Sequence, residues 1–184
     1  MTISNSNITI VKGNIFFSEL QTITVTVNCV GVMGKGIALV AKELVPDAYK
    51  FYQKLCEGNG MNLGKPVLYN KNSNQLKTAN GESKTLLLFP TKEHWKMRAN
   101  YGGIKRGLEW LIENYKKSNI ESLAIPALGC GNGGLEWKDV GPMLYQRLFQ
   151  LDIPVELYIP EKNILEKHLT EEFLLSGPSK ITDF

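Results

Sequence analysis

Two glycine-rich stretches restrict what this chain can fold into more than any other feature. The first, Asn28-Cys29-Val30-Gly31-Val32-Met33-Gly34-Lys35-Gly36-Ile37, stands where a β-branched run ends and a helical pattern begins. The second, Leu128-Gly129-Cys130-Gly131-Asn132-Gly133-Gly134-Leu135, likewise follows an apolar run and precedes a helical pattern. Glycine accepts positive φ and has no side chain, so several main-chain N–H groups can be gathered around one point. The helix that follows offers its unsatisfied N–H groups and the positive end of its dipole at the same place. Such a stretch reads as an anion cradle, most simply for phosphate. Glycines after a strand also make plain tight turns, and the first stretch alone does not decide between the two.

The intervening pattern alternates strand and helix. Period-two or continuous apolar runs predict strands over residues 8–12, 23–27, 67–69, 85–89, 120–127 and 155–159, with a weak strand over 75–78 before a turn at Asn80-Gly81. Pro90 is expected to end the strand over 85–89, and the segment from Thr91 to Lys96 reads as too polar for the core. Helical spacing runs from Ile37 to Leu44, reopens at Pro46 and continues to Gly58; it recurs over 101–115, 140–151 and, in the tail, 164–175. This alternation argues helices on both faces of a mostly parallel or mixed sheet. At 184 residues with 43% hydrophobic content the chain suits one core, and no linker divides it.

In such a sheet both glycine loops lie at the carboxyl edge, where ligands bind, and two loops side by side suit a diphosphate. Gly129, Gly131 and Gly134 match the dinucleotide fingerprint by spacing, but only one clear strand follows them. The nucleoside-triphosphate loop fails too: Gly34-Lys35 is followed by Gly36, and Cys29 stands where its first glycine would be. A net charge of +3 fits an anionic ligand or nucleic acid without the dense basic stripe of a dedicated DNA binder. Three cysteines, with no signal-peptide or membrane-spanning run, predict reduced thiols, a cytoplasmic location and no membrane partner. Scattered cysteines and two separated histidines predict no metal and no cofactor.

Three motifs together resemble the macrodomain superfamily: residues 28–38, the segment Phe89-Pro90-Thr91-Lys92-x-His94-Trp95, and Pro126-x-Leu128-Gly129-Cys130-Gly131-Asn132-Gly133-Gly134-Leu135-x-Trp137. Within it they are most similar to DNA ADP-ribosyl glycohydrolase antitoxins of the DarG type, relatives of the terminal ADP-ribose glycohydrolases. The resemblance implies a three-layer α/β/α macrodomain over residues 1–160 with a mixed, mostly parallel sheet of about six strands. Residues 161–184 would then be a tail carrying a short helix, packed on or trailing the same domain.

ADP-ribose would bind across the sheet top. By that likeness Asn14 and Ile15 meet the adenine, with Asn14 standing where many macrodomains carry Asp. Met33, Gly34, Lys35, Gly36 and Ile37 form the first phosphate loop, and Leu128, Gly129, Cys130, Gly131, Asn132, Gly133 and Gly134 the second. Asn28 and Lys92 face the distal ribose. The implied substrate is ADP-ribosylated single-stranded DNA, and the implied functional counterpart is a DNA ADP-ribosyltransferase toxin. A monomer is expected from the absence of an evident apolar surface stripe.

Cleaving a glycosidic bond at the anomeric carbon ordinarily takes a carboxylate pair. Neither loop supplies one, and Gly133 stands where the terminal ADP-ribose glycohydrolases have an aspartate. That leaves Lys92, expected in a partly desolvated site between Phe89 and Trp95, as nucleophile or base, with a Schiff base to the opened sugar as one route. Asn28 would orient the ribose. Glu136 is a reserve acid, Asp139 is expected to cap the following helix, Lys35 to serve affinity and His168 to be structural, with Cys29 and Cys130 small buried residues. His94, Trp95, Lys96 and Arg98 place aromatic and basic groups beyond Lys92, suited to stacking on an unpaired base and neutralising phosphates. The same residues also fit a plain reading, with His94 packing, aromatics in the core and cations on a solvated face. Two other functions stay open: hydrolysis of ADP-ribosyl esters on protein or of O-acetyl-ADP-ribose, and a reader that binds ADP-ribose without chemistry.

Overall fold

The central strand β2 (Thr22–Asn28) is built from alternating threonine and β-branched apolar residues and is buried along nearly its whole length, which only an interior position in a sheet covered on both faces provides. The computed structural model describes residues 7–70, 76–160, 162 and 164–177. It flanks β2 with β4 (Thr85–Lys92) and β5 (Leu123–Pro126), adds β1 (Ile8–Val11), β3 (Val67–Tyr69) and β6 (Val155–Tyr158), and orders the six as β1-β6-β5-β2-β4-β3. Every pairing is parallel except β3 with β4.

Alternate side chains feed two cores. On one face Leu87, Phe89, Leu123, Ile125, Val155 and Leu157 pack beneath α3 (Tyr101–Asn114) and α4 (Trp137–Leu148). On the other, Ile23, Val25, Val27, Leu86, Leu88 and Ala124 pack beneath α1 (Gly36–Leu44) and α2 (Pro46–Glu57). The three-layer arrangement expected from the sequence is present.

Three elements differ from expectation. β4 does not stop at Pro90: it runs to Lys92, with Pro90 opposite Val27 and the register slipping so that Asn28 faces Lys92. Proline has no N–H for the ladder, and the strand absorbs that loss as an irregularity rather than an end. Thr91, read as too polar for the core, is buried. The single tail helix is instead a 3-10 turn, Glu166–Leu169, followed by α5 (Glu171–Ser176). Thr170 separates them because its hydroxyl accepts from the Phe173 N–H at 3.2 Å and caps the second. This segment packs on α4, with Leu174 fully buried and the Trp137 indole N–H donating to the His168 carbonyl at 3.0 Å. The weak strand over 75–78 falls partly outside the described residues; Lys77 makes one antiparallel bridge with Ser83.

Candidate functional site

β2, β4 and β5 end side by side, and above their carboxyl ends lies an open cleft of about 1800 Å³ lined by both glycine loops. The first loop is held from beneath by Asn28. Its side-chain oxygen accepts from the N–H groups of Val30 (3.0 Å) and Val32 (3.3 Å), and its amide nitrogen donates to the Val32 carbonyl at 2.7 Å. Tyr52, fully buried on α2, reaches the same oxygen at 2.9 Å and the Asn28 main-chain carbonyl at 2.8 Å. These contacts fix which way round the amide sits, so the remaining N–H of Asn28 is the part left for a ligand. An amide expected to serve the ribose is thus first a builder of the loop. Past it, α1 begins at Gly36 with no side chain capping it, so its N-terminal N–H groups face the cleft.

The second loop turns through a short 3-10 segment, Gly131–Gly133. It is tied down by the Ala99 N–H donating to the Gly133 carbonyl at 2.8 Å and by the Arg98 guanidinium on the Gly134 carbonyl. The loops meet across the cleft. Gly36 has φ +57, a conformation side chains rarely adopt, and a Cβ there would lie 3.0 Å from the Asn132 side-chain nitrogen and press on it.

Lys92, half-buried at the end of β4, donates from Nζ to the Asn132 carbonyl at 3.0 Å. It therefore stands between the second loop and its strand neighbour Asn28. The apolar flanks expected around it are not both there. Phe89 is buried in the layer under α3, and Trp95 is 49% exposed at the cleft mouth. Trp95 stacks on His94, with ring centroids 5.5 Å apart, and carries the Lys96 ammonium 5.0 Å over its own ring.

Several expected site residues take other places. Met33 and Leu128 are core residues beneath the loops, 3% and 0% exposed, and do not line the cleft. Arg98 is engaged with Gly134, and neither it nor His94 lines the cleft, whereas Lys96 does. Glu136 is an exposed rim carboxylate paired with Lys138 at 2.8 Å, and that partner holds it below the usual carboxylate range. Asp139 does not cap α4: the N-cap position is Glu136, with no side-chain cap bond, and Asp139 lies in the first turn. Cys29 and Cys130 are half-buried rather than buried, and burial pushes their thiols up to about 11 and about 12. His168 stacks on Phe173 at 4.6 Å. Among the described residues no group of three or more His, Cys, Asp or Glu could hold a metal, and no helix is long and apolar enough to cross a membrane.

At the opposite end of the cleft Asn14 caps the 3-10 turn Ile15–Phe17, its side-chain oxygen accepting from the Phe16 N–H at 3.0 Å. Ile15 is buried under it in one core with Tyr158, and Tyr158, Ile159 and Pro160 line the cleft there as well. Sequence reasoning missed Tyr52, Ser18, Glu156 and Tyr158. Tyr52 reads as one more apolar residue at helical spacing, although a buried tyrosine hydroxyl usually finds a partner.

The macro domain family profile matches residues 25–144. A Thermosipho africanus protein described as a DNA ADP-ribosyl transferase-DNA ADP-ribosyl glycohydrolase fusion is 48% identical over 181 residues, covering 93% of this chain and 47% of the relative. A Mycobacterium tuberculosis DNA ADP-ribosyl glycohydrolase is 38% identical over 154 residues, covering 83% of this chain and 42% of its own length. Among solved structures, Thermosipho africanus DarTG in complex with ADP-ribose superposes with a TM-score of 0.89 at 46% identity, over 95% of this chain and 47% of that one. The macrodomain of Mycobacterium tuberculosis DarG superposes with a TM-score of 0.77 at 37% identity, over 84% of this chain and 98% of that one. The chain spans about half the length of the curated relatives it matches.

Proposed function

The chain belongs to the macro domain family, and on that premise we propose that it is an ADP-ribosyl glycohydrolase that removes ADP-ribose from a nucleobase in DNA. The observation that carries the reading is the position of Lys92. Its amine lies in the cleft formed by both glycine loops, hydrogen-bonded to the Asn132 carbonyl of one and paired through its strand with Asn28 under the other. The diphosphate would sit between the loops, against the α1 N-terminus and near the exposed Lys35. Asn14 and Ile15 would take the adenine, and the distal ribose would reach Asn28 and Lys92.

In this proposal Lys92 turns from the Asn132 carbonyl to the distal ribose and acts there as nucleophile or base. Its nitrogen, or a water it deprotonates, bonds the anomeric carbon as the bond from that carbon to the base nitrogen breaks. The base leaves taking up a proton, and where the lysine has bonded, water hydrolyses the adduct to free the ribose. Asn28 contributes its unused N–H to a ribose oxygen. Trp95 and Lys96, at the open end beside Lys92, receive the flanking single strand by stacking and charge. The relative that joins a DNA ADP-ribosyl transferase to a DNA ADP-ribosyl glycohydrolase supports pairing with such a transferase. The proposed domain is residues 1–160, with residues 164–177 of the tail packed on it, acting as a monomer.

A reader without chemistry is the second reading, favoured by the cleft lining, in which Glu136 is the one carboxylate among the described residues and is paired with Lys138 at 2.8 Å, so that no carboxylate pair is present. The deciding experiment incubates the protein with single-stranded oligonucleotides ADP-ribosylated on thymine or on guanine, and with an ADP-ribosylated protein. Release from one DNA substrate is the expected result. Release from the protein alone would replace DNA by an ester substrate, and binding without release would make the chain a reader.

A further inference from the structure

The cleft end bounded by Asn14 and Tyr158 contains a polar cluster that the proposed chemistry does not use. Ser18 ends the 3-10 turn that displays Asn14 and Ile15, its N–H donating to the Ile15 carbonyl at 3.1 Å. The Ser18 hydroxyl accepts from the Leu20 N–H at 3.2 Å and donates to Glu156 Oε2 at 2.5 Å. The Tyr158 hydroxyl donates to that same Oε2 at 2.9 Å. Lys84, only 5% exposed, donates its ammonium to the Ser18 carbonyl.

A turn near the start of the chain and a strand 138 residues later thus converge on one carboxylate oxygen. The two hydroxyls cannot separate by more than two hydrogen bonds, and hydroxyl-to-carboxylate bonds are among the stronger ones in proteins. One hydroxyl belongs to the turn that carries Asn14. The other belongs to β6, where Tyr158 packs in one core with Ile15 and Phe16 of that turn, is 8% exposed, and has its hydroxyl pushed up to about 12 by burial and then by Glu156. This end of the cleft is lined by the apolar Ile15, Ile159 and Pro160 and by the Asn14 amide. That chemistry fits a flat heteroaromatic base presenting a hydrogen-bonding edge.

We propose that Glu156 is the positioning residue of the base site: by tying Ser18 to β6 beside Tyr158 it fixes the turn that displays Asn14 and Ile15 against the strand end that carries Ile159 and Pro160, and so holds Asn14 on the edge of the base. The inference rests on the reading that this end of the cleft takes the adenine of ADP-ribose. Glu156 touches no ligand itself. It acts through the turn and the strand end, so its loss weakens recognition of the base more than binding of the diphosphate and ribose, and a glutamine, whose carbonyl oxygen accepts both hydroxyls, restores it.

The test is calorimetric titration of the full chain with ADP-ribose and with inosine diphosphate ribose, which carries a 6-oxo group and an N1–H where adenine has its amino group and an accepting N1. Wild type should prefer ADP-ribose by about tenfold, the worth of one good hydrogen bond. Glu156→Ala should bring that preference close to one, while Glu156→Gln keeps it. Ser18→Ala and Tyr158→Phe, each removing one of the two hydroxyl arms on Glu156, should reduce it partway, and they decide the matter if Glu156→Ala does not fold. An unchanged preference in Glu156→Ala, or in both single-arm variants, would overturn the proposal, as would a wild type indifferent to the two bases. A wild type that binds neither ligand would overturn the ADP-ribose reading and the proposal together, which separates the two failures.

Discussion

Replacing Asn28 by alanine tests whether the first loop is built as described. The side chain makes four hydrogen bonds: from Tyr52 at 2.9 Å, from the Val30 and Val32 N–H groups at 3.0 and 3.3 Å, and to the Val32 carbonyl at 2.7 Å. The Tyr52 hydroxyl keeps the residue's own main-chain carbonyl as an acceptor at 2.8 Å, so the truncation does not strand it. The loop N–H groups and the Val32 carbonyl do lose their partner. At a net of about 0.5–1.5 kcal/mol per bond, with the longest counted as weakest, the loss is about 3 kcal/mol. For a domain of this size each kcal/mol moves Tm by about 2–4 °C, so Asn28→Ala should melt about 6–12 °C below wild type. Urea unfolding should give a lower midpoint with an unchanged slope. Tyr52→Phe should cost about 1 kcal/mol, and the double variant less than the sum, because the two share a bond. A Tm for Asn28→Ala within about 2 °C of wild type would refute the reasoning and leave Asn28 as a ligand contact only.

Further outcomes follow from the same geometry. Gly36→Ala forces a side chain into φ +57 and against Asn132, so ADP-ribose affinity in calorimetry should fall at least about tenfold while the fold persists; full affinity would mean the loops do not close on the ligand. Cys29, Cys130 and Tyr158 all have folded pKa values raised above their unfolded ones by burial, to about 11, 12 and 12. Their contribution to stability is therefore whole below about pH 9 and is lost as pH climbs through about 11–12, so the urea midpoint should be lower at about pH 10.5 than at about pH 7.5, and equal midpoints would contradict the burial. Trp95→Ala should raise KM for an ADP-ribosylated oligonucleotide by about tenfold and leave free ADP-ribose affinity unchanged; an unchanged KM would remove Trp95 from the substrate path.

The layers, the parallel sheet and both glycine loops were legible because each rests on a local signal: β-branched runs, helical spacing, and glycines at the strand-to-helix junctions. What was not legible depends on partners distant in sequence. Pro90 reads as a strand end, yet β2 beside it lets the ladder slip and continue to Lys92, and that slip is what brings Lys92 opposite Asn28. Met33 and Leu128 lie within loop motifs, but their depth is set by the core beneath. The Ser18–Glu156 bond has no periodic trace, whereas Thr170-Glu171-Glu172 did carry a readable N-cap signal that splits the tail helix. Lys92 could be named from its motif; its hold on the Asn132 carbonyl could not.

The central claim is that Lys92 performs chemistry in a cleft that binds ADP-ribose without it. The most direct measurement follows ADP-ribose release from an ADP-ribosylated single-stranded oligonucleotide by wild type and Lys92→Ala, with ADP-ribose affinity measured on both. Release by wild type, abolished in Lys92→Ala with affinity kept within about threefold, is the predicted result. Undiminished release by Lys92→Ala would contradict the account.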